Sequence, residues 1–253
     1  WDIRRENVVG VFGAENHISL DYLLRVQGSS NPNVVRDTPT VDQIAYFNAA
    51  GLTPAGDILF INDTYDNNED IDVSGTDFAL YYDLDDTALG DFALSFNASK
   101  LRQFFIALSP GAQLIADAVD SGLIASEITV SQEGDIILQD GQPEWRLGAS
   151  LTWRHPSGLG AGARLDHTSK FIDTGVGFNA AGDPFIVEDF RTVNLYGEYE
   201  IQNAGAFSDT RLRVGVNNLL DKDPPLADET NGYDAAYHSA RGRYIYFDVR
   251  KQF

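Results

Sequence analysis

The stretch Trp145-Arg-Leu-Gly-Ala-Ser-Leu-Thr-Trp-Arg154 decides the fold. Trp145, Leu147, Ala149, Leu151 and Trp153 occupy every second position, and Arg146, Gly148, Ser150, Thr152 and Arg154 fill the others. A period of two is a strand with one apolar and one polar face. The alternation recurs on both sides of this stretch. Phe92, Leu94, Phe96 and Ala98 oppose Ala93, Ser95 and Asn97, and Leu159, Ala161, Ala163 and Leu165 oppose Gly160, Gly162, Arg164 and Asp166. Val193, Leu195, Gly197, Tyr199 and Ile201 oppose Thr192, Asn194, Tyr196, Glu198 and Glu200. Leu212, Val214 and Val216 oppose Arg211, Arg213, Gly215 and Asn217, and Ile245, Phe247, Val249 and Phe253 oppose Tyr244, Tyr246, Asp248, Arg250 and Gln252.

A soluble sandwich also alternates, so the make-up of the polar face matters more. It mixes Arg, Glu, Asp and Asn with Gly and Ser, as a wet interior wall would. For a strand tilted by ~40°, Trp145 and Trp153 stand about 20 Å apart along the membrane normal, near the ~25 Å apolar band between the aromatic girdles of outer-membrane barrels. The fold expected is therefore all-β, an antiparallel transmembrane β-barrel wall with Trp145 and Trp153 as girdle residues. Eight strands are predicted: 1–9, 58–82, 91–108, 145–155, 159–171, 187–201, 209–217 and 241–253. Short joins at 83–90, 155–158 and 202–208 alternate with long ones at 10–57, 109–144, 175–186 and 218–240, the arrangement of short periplasmic turns and long outer loops. Within the long joins, 41–50 and 111–123 are loosely amphipathic and predict helices.

Composition narrows the function. The 253 residues carry 38 Asp and Glu against 18 Lys and Arg, a formal charge of −20. Nucleic acid is excluded as a partner, because phosphate binding needs a basic surface. No stretch has the ~18–20 apolar residues of a transmembrane helix, but a membrane strand needs only ~9–11 alternating ones. There is no Cys and no Met. The chain opens at Trp1, inside a strand-like segment, so a piece of a longer or processed protein is expected.

Three segments resemble TonB-dependent outer-membrane receptors. The most specific is Arg213-Val-Gly-Val-Asn-Asn-Leu-Leu-Asp-Lys-Asp-Pro-Pro-Leu226, followed by Gly232-Tyr-Asp, Tyr237-His238 and Arg241-Gly-Arg-Tyr-Ile-Tyr-Phe-Asp-Val-Arg-Lys-Gln-Phe253. It is similar to the family's closing strands and the loop between them, with Leu220 where Phe is usual. Ser74-Gly75-Thr76-Asp77-Phe78 resembles a Gly-hydrophobic-Glu strand motif, with Asp77 for Glu, and Trp1-Asp-Ile-Arg resembles the strand before it. The resemblance implies that residues 1–253 are the C-terminal part of a barrel of about 22 strands with a plugged lumen. It implies that the N-terminal plug and its TonB box lie outside this sequence. It also implies outer-membrane location, in a Gram-negative bacterium, and uptake of a scarce solute: a siderophore, cobalamin or a carbohydrate. The partners implied are outer-membrane lipid, the plug and remaining strands, the TonB energy-coupling protein and the solute. Phe247, Val249 and Phe253 look like the terminal signal read by the assembly machinery. Two other readings stay open: a self-contained eight-stranded barrel, structural or adhesive, and a soluble acidic carbohydrate-binding sandwich.

Chemistry beyond binding finds little support. His17, His155, His167 and His238 have no mutual metal-ligand spacing, and there is no Cys. The run Asp63, Asp66, Glu69, Asp70 and Asp72 lacks the central Gly and closing Glu of a calcium loop. No enzyme, catalytic residue, metal site or cofactor is therefore expected. Tyr233, Tyr237, His238, Arg241 and Tyr244 concentrate aromatic and polar groups at the last long loop and its strand, as solute-gripping residues would.

Overall fold

The computed structural model describes residues 1–67, 70–128, 130, 133–179, 181–202 and 205–252, with the backbone alone at 66, 67, 178 and 206. Its main sheet runs through eight strands in sequence order: β1 (Asp2–Arg5), β2 (Ile71–Thr87), β3 (Gly90–Ile106), β4 (Trp145–Arg154), β5 (Leu159–Thr168), β6 (Phe190–Ile201), β7 (Thr210–Asn217) and β8 (Tyr244–Lys251). Every pairing from β3 to β8 is antiparallel. A short strand, Gly134–Asp135, adds to the end of β3. The sheet does not close: β1 and β8 are its edges. These eight strands therefore do not form a barrel by themselves, which counts against the self-contained barrel.

The register carries each strand's alternation across the sheet. One row reads Leu94, Leu151, Ala163, Leu195, Val216, Ile245 from β3 to β8. The row two residues away on the same face reads Phe92, Trp153, Ala161, Gly197, Val214, Phe247. On the opposite face lie Asp91, Arg154, Gly160, Glu198, Arg213, Asp248, and next to them Ala93, Thr152, Gly162, Tyr196, Gly215, Tyr246. The apolar face is bare: Val214 is 54% exposed, Phe247 65% and Ile245 76%. Leu151 and Leu195 are exposed, and Leu147 and Val193 half-buried, where a sandwich would bury all four against a second sheet.

Turn chemistry fixes the hairpins. Gly158 closes the His155–Gly158 turn with φ +89°, where a Cβ would strike the Glu200 carbonyl. On the polar face, Gly162 and Gly215 lie under the rings of Tyr196 and Tyr246, and Arg213 stacks its guanidinium 4.0 Å from the Tyr196 ring centre. A methyl at Gly215 would overlap Tyr246. Gly215→Ala is thus expected to destabilise by about 1–3 kcal/mol, although a strand glycine otherwise gains ~0.5–1 kcal/mol from Ala. In a denaturation cycle Tyr246→Ala should relieve the cost; strict additivity of the two changes would contradict the overlap.

The chain divides into two compact units. The first holds Trp1, Ser74–Arg102 and Ile137–Phe253. There the Trp1 amino group donates to the Gly75 carbonyl at 3.0 Å and the Gly75 amide returns the bond to Trp1, the reciprocal pair of an antiparallel ladder. The second unit holds Asp2–Val73 and Gln103–Ile136. It contains helices α1 (Ala14–Val26), α2 (Val41–Ala49) and α3 (Pro110–Asp120). Its core is Leu23, Ile115, Ala118 and Ile124. Helix α2 begins with a capping box between Thr40 and Gln43, and α3 with Ser109 as cap and Pro110 in its first turn.

Three expectations are corrected. The predicted strand 58–82 is broken: Ile58–Ile61 pairs with Val34–Arg36 in a separate sheet, and β2 begins only at Ile71. The polar run Asn62-Asp-Thr intervenes, where the Asn62 amide bonds the Asn33 carbonyl. The strand predicted over 1–9 ends at Arg5, because Asn7 adopts φ +53°, and Val9–Gly10 pairs with Asp66–Asn67 instead. Helix α1 falls where the sequence predicts only loop. Its buried face is largely polar, Asn16, His17 and Asp21, so it lacks the apolar period that marks a helix.

Candidate solute site at the long loops

In the first unit, residues 137–144, 169–189 and 218–243 follow from the long joins. The stretch 175–186 is folded rather than irregular: Phe171–Phe178 and Pro184–Val187 form a hairpin. The Asp140 carboxylate accepts from the Thr174 amide at 2.8 Å and hydroxyl at 2.6 Å, and Ile172 donates its amide to the Leu138 carbonyl at 2.6 Å. The Asp173 carboxylate accepts from the Asp228 amide at 2.5 Å. One hairpin thus ties both other loops.

Phe171, Val187 and Phe190 form a small apolar centre under these ties, with His238 set into it. The His238 ring lies parallel to Phe171 at 6.2 Å and edge-on to Phe190 at 5.3 Å. It is 5% exposed, and neither ring nitrogen has a hydrogen-bond partner among the described residues. Burial holds its pKa below the ordinary histidine value, against the opposing charge of Asp234. Tyr237 packs on Phe171 and receives the Arg146 guanidinium 5.3 Å from its ring centre.

Three grooves border this centre. The largest, about 610 Å³, is walled by Asp77, Ser95, Asn97, Arg146, Arg164, Asp166 and Tyr237, among others. Arg164 is held by a forked pair of hydrogen bonds to Asp166. A second, about 270 Å³, lies between Asp166, Thr192, Tyr237 and His238. A third, about 320 Å³, is bounded by Asn194, Asn217, Arg241 and Tyr244, and there the Arg241 guanidinium stands 5.3 Å over the Tyr244 ring. Neither Arg146 nor Arg241 pairs with a carboxylate among the described residues.

Tyr237 and His238 therefore meet, Arg241 and Tyr244 share the adjoining groove, and Tyr233, half-buried, lines none of the three. Sequence reasoning missed Arg146, Arg164 and Asp166. Their signal was their polar-face phase on β4 and β5, but only the register brings them together. Trp145 and Trp153 stand at opposite ends of β4. Lys100 lies 5.0 Å over the Trp145 ring, and the Trp153 indole donates to the Leu89 carbonyl at 2.6 Å. Phe247 and Val249 are exposed on the apolar face of β8; Phe253 lies outside the described residues. Of the acidic run, Asp63 faces His17 at 3.3 Å and Asp70 pairs with Arg4 at 2.8 Å. Glu69 and the Asp66 side chain lie outside the described residues.

No protein-family model and no curated protein matches the chain. Among solved structures, it is similar to the siderophore receptor of Acinetobacter baumannii, at 12% identity over 97% of this chain and 27% of that one, TM-score 0.47. The iron transporter of Neisseria meningitidis shares 16% identity over 76% and 25%, TM-score 0.45. A variant of the ferric enterobactin receptor of Pseudomonas aeruginosa shares 18% over 74% and 23%, TM-score 0.42. The chain spans about a quarter of the length of those proteins.

Proposed function

We propose that the chain is the C-terminal part of the barrel wall of a TonB-dependent outer-membrane receptor, and that its long loops capture a scarce solute. The observation that carries this reading is the pair of unlike faces. An apolar surface, half-buried at Phe92 and Trp153 and exposed at Val214 and Phe247, crosses β3 to β8, and behind it lies a face of Arg, Glu, Asn, Tyr and Gly. Water penalises the first face and hydrocarbon the second, so lipid on one side and a wet lumen on the other fits both. In this reading Trp145 and Trp153 lie at the two membrane interfaces, and Phe247, Val249 and Phe253 form the assembly signal. A plug outside this sequence gates passage and couples to TonB. The role is binding and transport, not catalysis.

The grooves favour an anionic iron chelate over a neutral sugar or cobalamin. Arg146 and Arg241 each present a guanidinium braced on a tyrosine and unpaired among the described residues, in a chain of net charge −20. Titration of the detergent-solubilised receptor with ferric siderophores, cobalamin and oligosaccharides tests this. Arg146→Ala and Arg241→Ala are each expected to weaken binding of an anionic ferric chelate about tenfold, near 1.4 kcal/mol. Unchanged affinity in both would remove these residues from the site. Recovery of the parent protein from the soluble fraction without detergent would defeat the reading as a whole.

A further inference from the structure

We propose that His238 is an acid-sensitive latch: neutral, it fills an apolar slot between Phe171 and Phe190 and holds the last long loop against the 171–187 hairpin; protonated, it leaves the slot. The slot is complete. Phe171 is 3% exposed and Phe190 7%, and the imidazole is parallel to one and edge-on to the other. Both ring nitrogens are buried without a partner among the described residues. An unpaired neutral imidazole there is costly, and a charged one more so.

Charged groups stand on each side of the slot. On the latch's own loop, Asp234 favours the charged form, but burial outweighs it. From the loop after β7, the Lys222 ammonium lies 6.0 Å from the Phe190 ring centre and opposes a second positive charge. On β5, Asp166 is engaged with Arg164, and His167 borders the same groove. Beside Phe190, Asp189 and Arg191 pair at 3.1 Å; beside Phe171, Asp173 is taken up by the Asp228 amide. Asp234 is the charge that acts on the ring among the described residues.

The sign follows from the lowered pKa. The latch contributes its full stability above the open-state value, near the ordinary 6.5, and loses it as pH falls towards the lower closed-state value. Release would free Tyr237, which carries Arg146 at the edge of the large groove. The latch itself does not depend on what that groove binds.

Amide hydrogen exchange on the detergent-solubilised protein at about pH 7.5 and about pH 5, corrected for intrinsic rates, tests it. The amides of Asp228, Tyr237 and His238, which bond to Asp173 and Asp234, report the loop. In the wild type they are expected to open severalfold more often at the lower pH, because protonation of His238 favours the open state. His238→Phe, which refills the slot without a titrating group, should remove that step and keep the protection. No acid step in the wild type, or an equal step in His238→Phe, overturns the latch. Should that variant misfold, exchange of the imidazole C2 hydrogen in the wild type decides. A His238 midpoint below the ordinary histidine value supports the latch; an equal or higher one refutes it.

Discussion

Leu195→Arg is expected to stop the protein from assembling in the membrane, whereas Asn194→Arg, one residue away, is tolerated. Leu195 sits in the middle of the apolar face, between Ala163 on β5 and Val216 on β7, and it is exposed. If that face meets lipid, a mid-sheet arginine costs about 2–4 kcal/mol at the bilayer centre. Asn194 points the other way, into the row of Ser150, Arg164 and Asn217, where an added guanidinium stays hydrated. The measurement is heat-modifiable gel mobility of the outer-membrane fraction for both variants. Equal loss in the two, or a loss confined to Asn194→Arg, would reverse the assignment of the faces.

The second large effect lies in the helical unit. Asp21 is fully buried and accepts from Arg25 Nε at 2.8 Å, Arg36 Nε at 3.1 Å and the Asn31 amide at 2.9 Å. Removing it strands two guanidiniums that are themselves mostly buried. Breaking one partner of a buried ion pair costs ~3–5 kcal/mol, since the remaining charge loses compensation. Asp21→Ala should therefore open α1 locally, and proteolysis between residues 14 and 36 under native conditions should accelerate by ~100-fold or more, with the main sheet intact. Asp21→Asn keeps an acceptor for Asn31 and should fall between. Wild-type cleavage rates in Asp21→Ala would show that the triad is dispensable.

These two sites also mark what was legible in the sequence. Around Leu195 the alternation stands in the chain itself, so the faces of β3 to β8 and most of their limits could be read directly. Helices α2 and α3 were readable for a related reason: each carries a loosely amphipathic pattern near its observed bounds. Helix α1 was not, because Asn16, His17 and Asp21 occupy its buried face, and buried polar groups look like solvent-facing ones until their partners are known. Those partners, Asn31 and Arg36, arrive from chain 10 or more residues away. The site divides in the same way. Tyr237, His238, Arg241 and Tyr244 stood out by residue type in one loop and strand. Arg146 and Phe171 did not, since their part depends on which strand and hairpin meet the last loop.

The tyrosines seated on glycine have a further consequence. On the wet side of a sheet, water competes for the peptide groups that join neighbouring strands. A ring laid flat over Gly162, and another over Gly215, roofs the bare backbone there and keeps that water out. The middle of β5 to β8 should accordingly be the stiffest zone of the sheet, and its amides the slowest to exchange, on the very side that hydration would otherwise loosen.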